Sequence, residues 1–316
     1  MDTLVKITAF AAALAASFGA AYGVGLLAGP QAGVVGSPAH PGGPASGTHR
    51  PGVGPTASRT GGLGLTEDGY TLALRTSRMT ADRPGTLRFA VHDGSGRRVT
   101  GFRREHGREM HLILASRDLS TYRHLHPTRD SDGTWSTPVE LPEAGDYRVF
   151  ADFTPAGKRT RNVTPGADLA VAGPYRPATL PGPARSATVD GYTVSLGGTL
   201  RPGRAERVTF TVRRDGRPVT ALQPYLGAYG HLVALRAGDL AYLHVHAEGA
   251  GPGPDVSFTT TAPGAATYRL FLDFKHDGVV RTAAFTVTSE PAEGIPRPAA
   301  PSDPVPLGPG DEGHGH

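Results

Sequence analysis

The sequence predicts an all-β protein with two tandem antiparallel β-sandwich domains, and three observations lead to this prediction. First, the 316 residues include 44 Gly and 29 Pro, which are too many backbone breakers for a mainly helical chain. Second, no stretch of useful length after Ala28 shows the periodicity of an amphipathic helix. Third, short runs rich in Val, Thr, Tyr, Phe and Leu are separated by turn signals about every ten residues, which is typical of short antiparallel strands.

An internal duplication divides the main part of the chain into two repeats, residues 63–174 and 184–289. For example, YRVFADF at 147–153 recurs as YRLFLDF at 268–274. Because such matches keep a nearly constant register along the whole repeat, we interpret them as a duplication. Each repeat provides about seven strands in about 105 residues, which is typical of an immunoglobulin-like antiparallel sandwich.

Alternating apolar residues predict which side of each strand faces the core of its sandwich. In the first repeat we expect the core to contain Leu112, Leu114, Tyr147, Val149 and Phe153. The turn at 132–133 and the Trp that follows it are typical of a hairpin with a core aromatic residue.

The segment before the first repeat predicts a membrane anchor, residues 1–28. It contains an uncharged stretch, Ile7–Ala28, close to the roughly 20 residues that a helix needs to cross a bilayer. Because Lys6 precedes this stretch, we expect a single-pass protein whose C-terminal domains are extracytoplasmic. The alternative is a cleaved signal peptide and a secreted protein.

Three segments contain too few large apolar residues to fold alone. We predict a disordered Gly/Pro-rich linker at 29–62, a Pro-rich joint at 175–183 and a disordered Pro-rich tail at 290–316. The tail ends in GHGH, and such a flexible pair of His residues binds metal with low specificity.

The composition excludes several classes of function. The sequence has no Cys, so disulfides, thiolate zinc sites, blue-copper sites and iron–sulfur clusters are excluded. The net charge of +4 comes from scattered Arg residues, and no basic run is dense enough to indicate nucleic-acid binding. The motifs HExxH and GxSxG, a phosphate-binding loop and a Rossmann fingerprint are all missing, so we do not expect an enzyme.

Histidines provide the strongest chemical pattern. Six of the 13 occupy equivalent positions in the two repeats: His111, His124 and His126, and His231, His244 and His246. Alternate residues of a strand project to the same side, so His124 and His126 lie together, and His111 opens the strand that precedes them. Asp152 and Asp273, on a later strand of each repeat, are candidates for an oxygen ligand or for orienting a His. We predict that these residues bind copper or zinc, as Cu(II) or Zn(II).

The spacing leaves open whether the two repeats share one metal ion or hold two. It also leaves open a structural or protein-interaction module without metal, in which the His residues bond to backbone and the partner is another protein. His92, His106 and His276 have no counterpart in the other repeat, and we expect them to be solvated.

The His residues lie within longer motifs that resemble a known family. These motifs are MHLIL at 110–114, DL at 118–119, HLHP at 124–127, PYLGAYGH at 224–231 and HVH at 244–246. They are similar to motifs of uncharacterised bacterial secreted or membrane-anchored proteins with tandem sandwich repeats, some associated with heavy-metal efflux. The resemblance covers both repeats and the N-terminal anchor, but it implies no activity. The second repeat has Ala247 where the first has Pro127, so the two sites need not have equal roles.

Overall fold

The computed structural model describes residues 60–157, 160–243, 245–249 and 251–289. These residues form strands, turns and loops, and none of them is helical, so the predicted all-β fold is confirmed. The predicted anchor, the tail and the linker up to residue 59 lie outside the described residues. Within the described ranges, no helix is long and apolar enough to cross a membrane.

The first repeat contains twelve of the strands, and one more precedes it. They are β1 (Thr60–Gly61), β2 (Thr66–Glu67), β3 (Tyr70–Leu74), β4 (Arg78–Thr80), β5 (Gly85–His92), β6 (Phe102–Arg103), β7 (His111–Ser116), β8 (Tyr122–Leu125), β9 (Thr128–Arg129), β10 (Thr134–Val139), β11 (Gly145–Asp152), β12 (Thr154–Pro155) and β13 (Gly166–Ala172). The second repeat contains β14 (Ser186–Val189), β15 (Tyr192–Gly197), β16 (Ala205–Arg214), β17 (Arg217–Pro218), β18 (His231–Arg236), β19 (Tyr242–Leu243), β20 (Val245–Ala247), β21 (Asp255–Thr261), β22 (Thr267–His276) and β23 (Val279–Thr288).

Two sheets make up the sandwich of the first repeat. One has the strand order β2-β3-β5-β10-β9 and the other β4-β13-β11-β7-β8. The core between them contains all five predicted residues, Leu112, Leu114, Tyr147, Val149 and Phe153. Trp135, after the Asp132-Gly133 turn, is also buried there and stacks on Phe89, as the hairpin prediction required.

The second repeat has the same architecture. One sheet has the order β14-β15-β16-β21-β20, with β17 paired to β16, and the facing sheet contains β19-β18-β22-β23. Alternate residues of β22 enter its core, among them Tyr268, Leu270 and Phe274. Each repeat therefore has an apolar core of its own.

The predicted linker, residues 29–62, extends too far, because Thr60–Gly61 is a β-strand. These two residues form β1, which pairs with Tyr242 and Leu243 at the edge of the second repeat's sheet. The next residue, Gly62, has a φ of 80°, and a Cβ atom there would overlap the Phe150 ring. Gly tolerates both this backbone conformation and this close approach. The chain just before the first repeat therefore contacts both repeats.

The two sandwiches belong to one compact unit and pack against each other through a third apolar cluster. This inter-repeat cluster consists of Ile113, Ala115, Leu119, Tyr122, Phe150, Val233, Leu235, Leu240, Tyr242 and Phe271. The strand β7 explains how it forms, because Leu112 and Leu114 face their own core while Ile113 and Ala115 face the other repeat.

Aromatic pairs in the inter-repeat cluster follow an approximate two-fold symmetry. The Tyr122 ring stacks on Phe271, with ring centroids 4.2 Å apart. The equivalent residues with the repeats exchanged, Tyr242 and Phe150, have centroids 5.6 Å apart. The repeats therefore pack as the two subunits of an isologous dimer do, each using the same face.

Candidate metal centre

A group of five His side chains lies at the boundary between the repeats, beside the inter-repeat cluster. We call it the His cluster, and its members are His106, His111, His124, His126 and His231. Four of them come from the first repeat and one from the second. One ligand atom from each of His111, His124 and His231 lies within 4.8 Å of the other two.

Strand pairing brings His111 and His124 together. The strands β7 and β8 are antiparallel neighbours, and Ile113 lies opposite His124, as the short Asp118-Leu119 connection predicted. His111 is two residues from Ile113, so it projects to the same side of the sheet. The His111 Nδ1 and His124 Nε2 atoms are 3.2 Å apart.

Hydrogen bonds determine which ring nitrogens of this pair carry protons. His111 Nε2 is 3.2 Å from the backbone carbonyl oxygen of Glu105. A carbonyl oxygen only accepts, so this nitrogen is the donor. His124 Nδ1 is 2.9 Å from a carboxylate oxygen of Asp273, to which it likewise donates. In neutral rings, the nitrogens that face each other across 3.2 Å therefore both carry lone pairs.

The second repeat contributes His231, at the start of β18. Its ring centroid is 4.6 Å from that of His124 and 5.3 Å from that of His111. Its Nδ1 atom is buried and has no hydrogen-bond partner in the described part of the chain. A buried nitrogen without a protein partner is uncommon in a folded protein, so this atom is available to bind a ligand.

Asp273 connects the second repeat to a His of the first. Asp273 lies opposite His231 in the β18–β22 ladder. Its carboxylate nevertheless accepts a hydrogen bond from His124 of the other repeat. The side chains of Asp273 and His124 are each 3% exposed. Thr282 Oγ1 donates to the second carboxylate oxygen of Asp273 at 2.6 Å. The Asp273 carboxylate therefore orients the His124 ring. It does not belong to the group of ligand atoms within 4.8 Å of one another, which comes from His111, His124 and His231.

Asp152 is the equivalent residue of the first repeat, and it lies opposite His111 in the β7–β11 ladder. It accepts hydrogen bonds from Asn162 at 2.5 Å and from Tyr242 of the other repeat at 3.2 Å. Tyr122 likewise donates to Asp273 at 3.5 Å. Burial raises the pKa of both tyrosines well above 10, so both hydroxyls remain donors.

The remaining predicted ligands differ in how far the structure describes them. His126 projects beside His124, with ring centroids 4.9 Å apart, and its buried Nε2 atom has no partner among the described residues. His244 and the side chain of His246 lie outside the described residues. Their role as metal ligands stays a prediction.

The spacing of His residues within one repeat did not identify His106 as a member of the His cluster. Its ring is exposed, but its centroid is 5.9 Å from that of His231 and 6.1 Å from that of His111. The expectation that His106 is solvated is therefore confirmed, although its ring lies beside two members of the His cluster. The same expectation is wrong for His276, which is half-buried and whose Nδ1 atom lies 2.8 Å from the Tyr192 hydroxyl oxygen, within hydrogen-bond distance.

Burial keeps three members of the His cluster neutral. It lowers the pKa of His126 to about 3 and holds that of His231 well below 6.5. Burial and then repulsion from His124 lower the pKa of His111, although Asp152 acts in the opposite sense. Neutral imidazole is the form that binds a metal ion.

These shifts predict the pH dependence of the metal-free protein. In the unfolded chain each His has a pKa of about 6.5, so below that pH the unfolded state binds more protons than the folded state. We expect the free energy of unfolding to fall steadily as the pH decreases from about 6.5 to about 4. Urea denaturation at several pH values, with a chelator present, measures the slope.

The variant His126→Gln provides the comparison for this prediction. It removes one titrating group from the His cluster, so we expect its pH slope to be shallower by up to about one proton. His92→Gln, on β5 of the opposite sheet, serves as the control and should leave the slope nearly unchanged. An identical slope for the His126 variant and the parent would contradict the prediction.

Comparison with known families gives a match that covers most of the chain. The profile of the family described as "Domain of unknown function (DUF8832)" matches residues 65–165 and again residues 187–291. The two matches correspond to the two sandwiches. No curated protein matches the sequence.

Solved structures that resemble the protein are remote. The Escherichia coli adhesin FdeC is 16% identical, with a TM-score of 0.24 over 70% of this chain and 65% of that chain. Yersinia pseudotuberculosis InvD is 12% identical, with a TM-score of 0.23 over 71% of this chain and 58% of that chain. Invasin, a bacterial integrin-binding protein, is 12% identical, with a TM-score of 0.22 over 70% of this chain and 39% of that chain. The chain thus spans less than two thirds of each of these proteins, and TM-scores this low support no argument about function.

Proposed function

The chain belongs to the DUF8832 family, whose domain it carries twice, and we propose that the two copies together form one binding site for a divalent transition metal ion. The ligands are His111 and His124 of the first repeat and His231 of the second. The ion is Zn(II) or Cu(II), since imidazole suits both metals. The function is binding, and it involves no catalysis.

The facing lone pairs of His111 and His124 carry this proposal. Two unprotonated nitrogens at 3.2 Å repel each other unless a proton or a cation lies between them. Burial lowers the pKa of His111 and so disfavours a proton on its Nδ1 atom. In a tetrahedral site with metal–nitrogen bonds of about 2.0–2.1 Å, two ligand nitrogens lie about 3.3 Å apart. The observed separation therefore matches two ligands of one ion.

Negative charge near the His cluster compensates an ion in this buried position. Asp273 is one hydrogen bond from a ligand, and Asp152 lies beside His111 in the neighbouring strand. The hydrogen bond from His124 to a carboxylate also fixes the orientation of the His124 ring, as in other metal sites with a carboxylate–histidine pair. Each repeat supplies one of these two carboxylates.

The location of this function rests on the sequence alone. We propose that the anchor Ile7–Ala28 holds the protein in the membrane and that both sandwiches are extracytoplasmic, with secretion as the alternative. The metal ion would then be captured outside the cytoplasm.

Metal titration tests the proposal. The protein should carry His314→Ala and His316→Ala, so that the tail does not contribute. We expect saturable binding of Zn(II), measured by competition with a chromophoric chelator. We also expect a rise in melting temperature, because a ligand that binds only the folded state stabilises it. Unchanged melting with every divalent ion would contradict metal binding.

That negative result would favour the second candidate, a non-catalytic structural or protein-interaction module. The inter-repeat cluster supports this candidate, because the apolar packing of Tyr122, Phe271 and their equivalents joins the two sandwiches. Such a rigid pair of domains presents loops and strand edges to a protein partner.

The orienting role of Asp273 gives a separate prediction. In Asp273→Asn the side-chain amide lacks the negative charge, and its NH₂ group can donate to His124 Nδ1 and so place the ring proton on Nε2. We expect the affinity for Zn(II) to fall by about 10–100-fold, the usual cost of losing such a partner. Asp277→Asn is the control, because Asp277 is exposed and pairs with Arg214. Equal affinities of the two variants would show that Asp273 has no such role.

A further inference from the structure

A cavity of about 360 Å³ adjoins the His cluster. This volume is in the lower part of the range of small-molecule sites, about 300–1,000 Å³. The cavity is lined by Glu105, His106, His111, Asp152, Asn162 and His231, together with Tyr242 and an apolar wall that includes Leu232, Val245 and Phe258. His106 and Ala247, which also line it, are exposed, so the cavity opens to solvent at these residues.

The cavity adjoins only part of the proposed ligand set. His111 and His231 line it, whereas His124 does not. The fourth position around a tetrahedral ion held by three imidazoles can therefore face this space. Closed structural sites have four protein ligands, while a site with three keeps one position for an exogenous ligand. Among the described residues, the mutually close group contains three His and no fourth ligand.

The walls of the cavity determine which ligand chemistry fits. The carboxylates of Glu105 and Asp152 line it, and no Lys or Arg is among the described lining residues. These carboxylates accept hydrogen bonds from Thr154, Asn162 and Tyr242, and the described chain places no ion pair on either of them. They offset the attraction of a divalent ion for an anion, and they attract a group that donates hydrogen bonds. On the other side, Leu232 and Phe258 provide a buried apolar surface.

From this arrangement we propose that the cavity binds a small nitrogen base, such as an imidazole ring, as the fourth ligand of the metal ion. The base places one nitrogen on the ion and directs its N–H group to Glu105 or Asp152, while its carbon edge contacts the apolar wall. This inference rests on the proposed metal-binding function. It adds that the site is open and that it prefers a neutral base to an anion.

Spectroscopy of the Co(II)-loaded protein tests the inference, because the visible bands of Co(II) change with its ligands. Imidazole and azide are added separately to the full chain with the tail His residues replaced. We expect imidazole to change the spectrum at concentrations at least about tenfold lower than azide does, while Co(II) stays bound. In Glu105→Gln/Asp152→Asn the walls lose their charge, so the difference should shrink to less than about threefold.

A cavity-filling variant provides a second readout. Ala247→Phe introduces a ring at the mouth of the cavity, and we expect it to keep Co(II) binding and lose the imidazole response. Ala221→Phe, at an exposed Ala that lines a different pocket, is the matched control and should respond like the parent. Binding of Co(II) without any response to imidazole, or a preference for azide in the parent, would overturn the inference and leave the metal site intact. Failure to bind Co(II) would overturn both.

Discussion

Replacing His231 by Ala is expected to lower the affinity for Zn(II) by more than about 100-fold, a larger loss than the 10–100-fold typical of an outer-shell partner. His231 is one of the three residues whose ligand atoms lie within 4.8 Å of one another. Its loss leaves two imidazoles, which bind a divalent ion weakly. Competition with a chromophoric chelator, at fixed pH and with the tail His residues replaced, measures the change.

The location of His231 makes this variant more informative than a change in the first repeat. If each sandwich held its own ion, His231→Ala would leave the His111–His124 pair and its metal unaffected. In a shared site, His231→Ala and His111→Ala each remove a ligand of the same Zn(II) ion. We therefore expect the two variants to show similar losses and the double variant to add little to either.

His276→Ala is the control, because His276 belongs to the second repeat and bonds to Tyr192 outside the His cluster. Its affinity for Zn(II) should stay within about threefold of the parent. A His231 variant that binds Zn(II) as tightly as this control would contradict a site shared between the repeats.

Much of the fold follows from local patterns in the sequence. The runs of alternating apolar residues separated by turn signals identify strands such as β3 and β7, at Tyr70–Leu74 and His111–Ser116. The pairing of β7 with β8 follows from their short connection, so the proximity of His111 and His124 was also predictable. These relations involve residues close in sequence, where strand geometry alone sets the distance.

The contact between the repeats could not be predicted in this way. Spacing within one repeat says nothing about His231, which lies 120 positions from its equivalent His111 (231 minus 111) and meets it only after the sandwiches pack. His106 was missed because it has no counterpart in the second repeat, although it lies beside His111 of its own repeat. One signal was present in β7, because its four central residues, LILA at 112–115, are all apolar, and the structure buries the whole strand. An uninterrupted apolar run of this kind indicates a strand covered on both faces.

Truncating Phe271 to Ala is expected to reduce the free energy of unfolding by about 3–5 kcal/mol, as for other fully buried Phe residues. Phe271 is 3% exposed and lies in the inter-repeat cluster, outside the core of its own sandwich. The decrease in the free energy of unfolding therefore measures how much the packing between the repeats contributes to stability. Urea denaturation of the metal-free protein measures it. Val279→Ala, at a 48% exposed apolar residue, should change stability by less than about 0.5 kcal/mol.

A double-mutant cycle with Tyr122 separates this attachment from a general loss of apolar area. Tyr122 stacks on Phe271 across the boundary at 4.2 Å, and aromatic pairs of this kind are coupled by about 0.5–1.5 kcal/mol. We expect Tyr122→Ala and Phe271→Ala to be non-additive by this amount, and each to weaken Zn(II) binding as well, because the proposed ligands lie on both sides of the same boundary. Additive losses with unchanged metal affinity would show that the sandwiches hold the His cluster together without this stack.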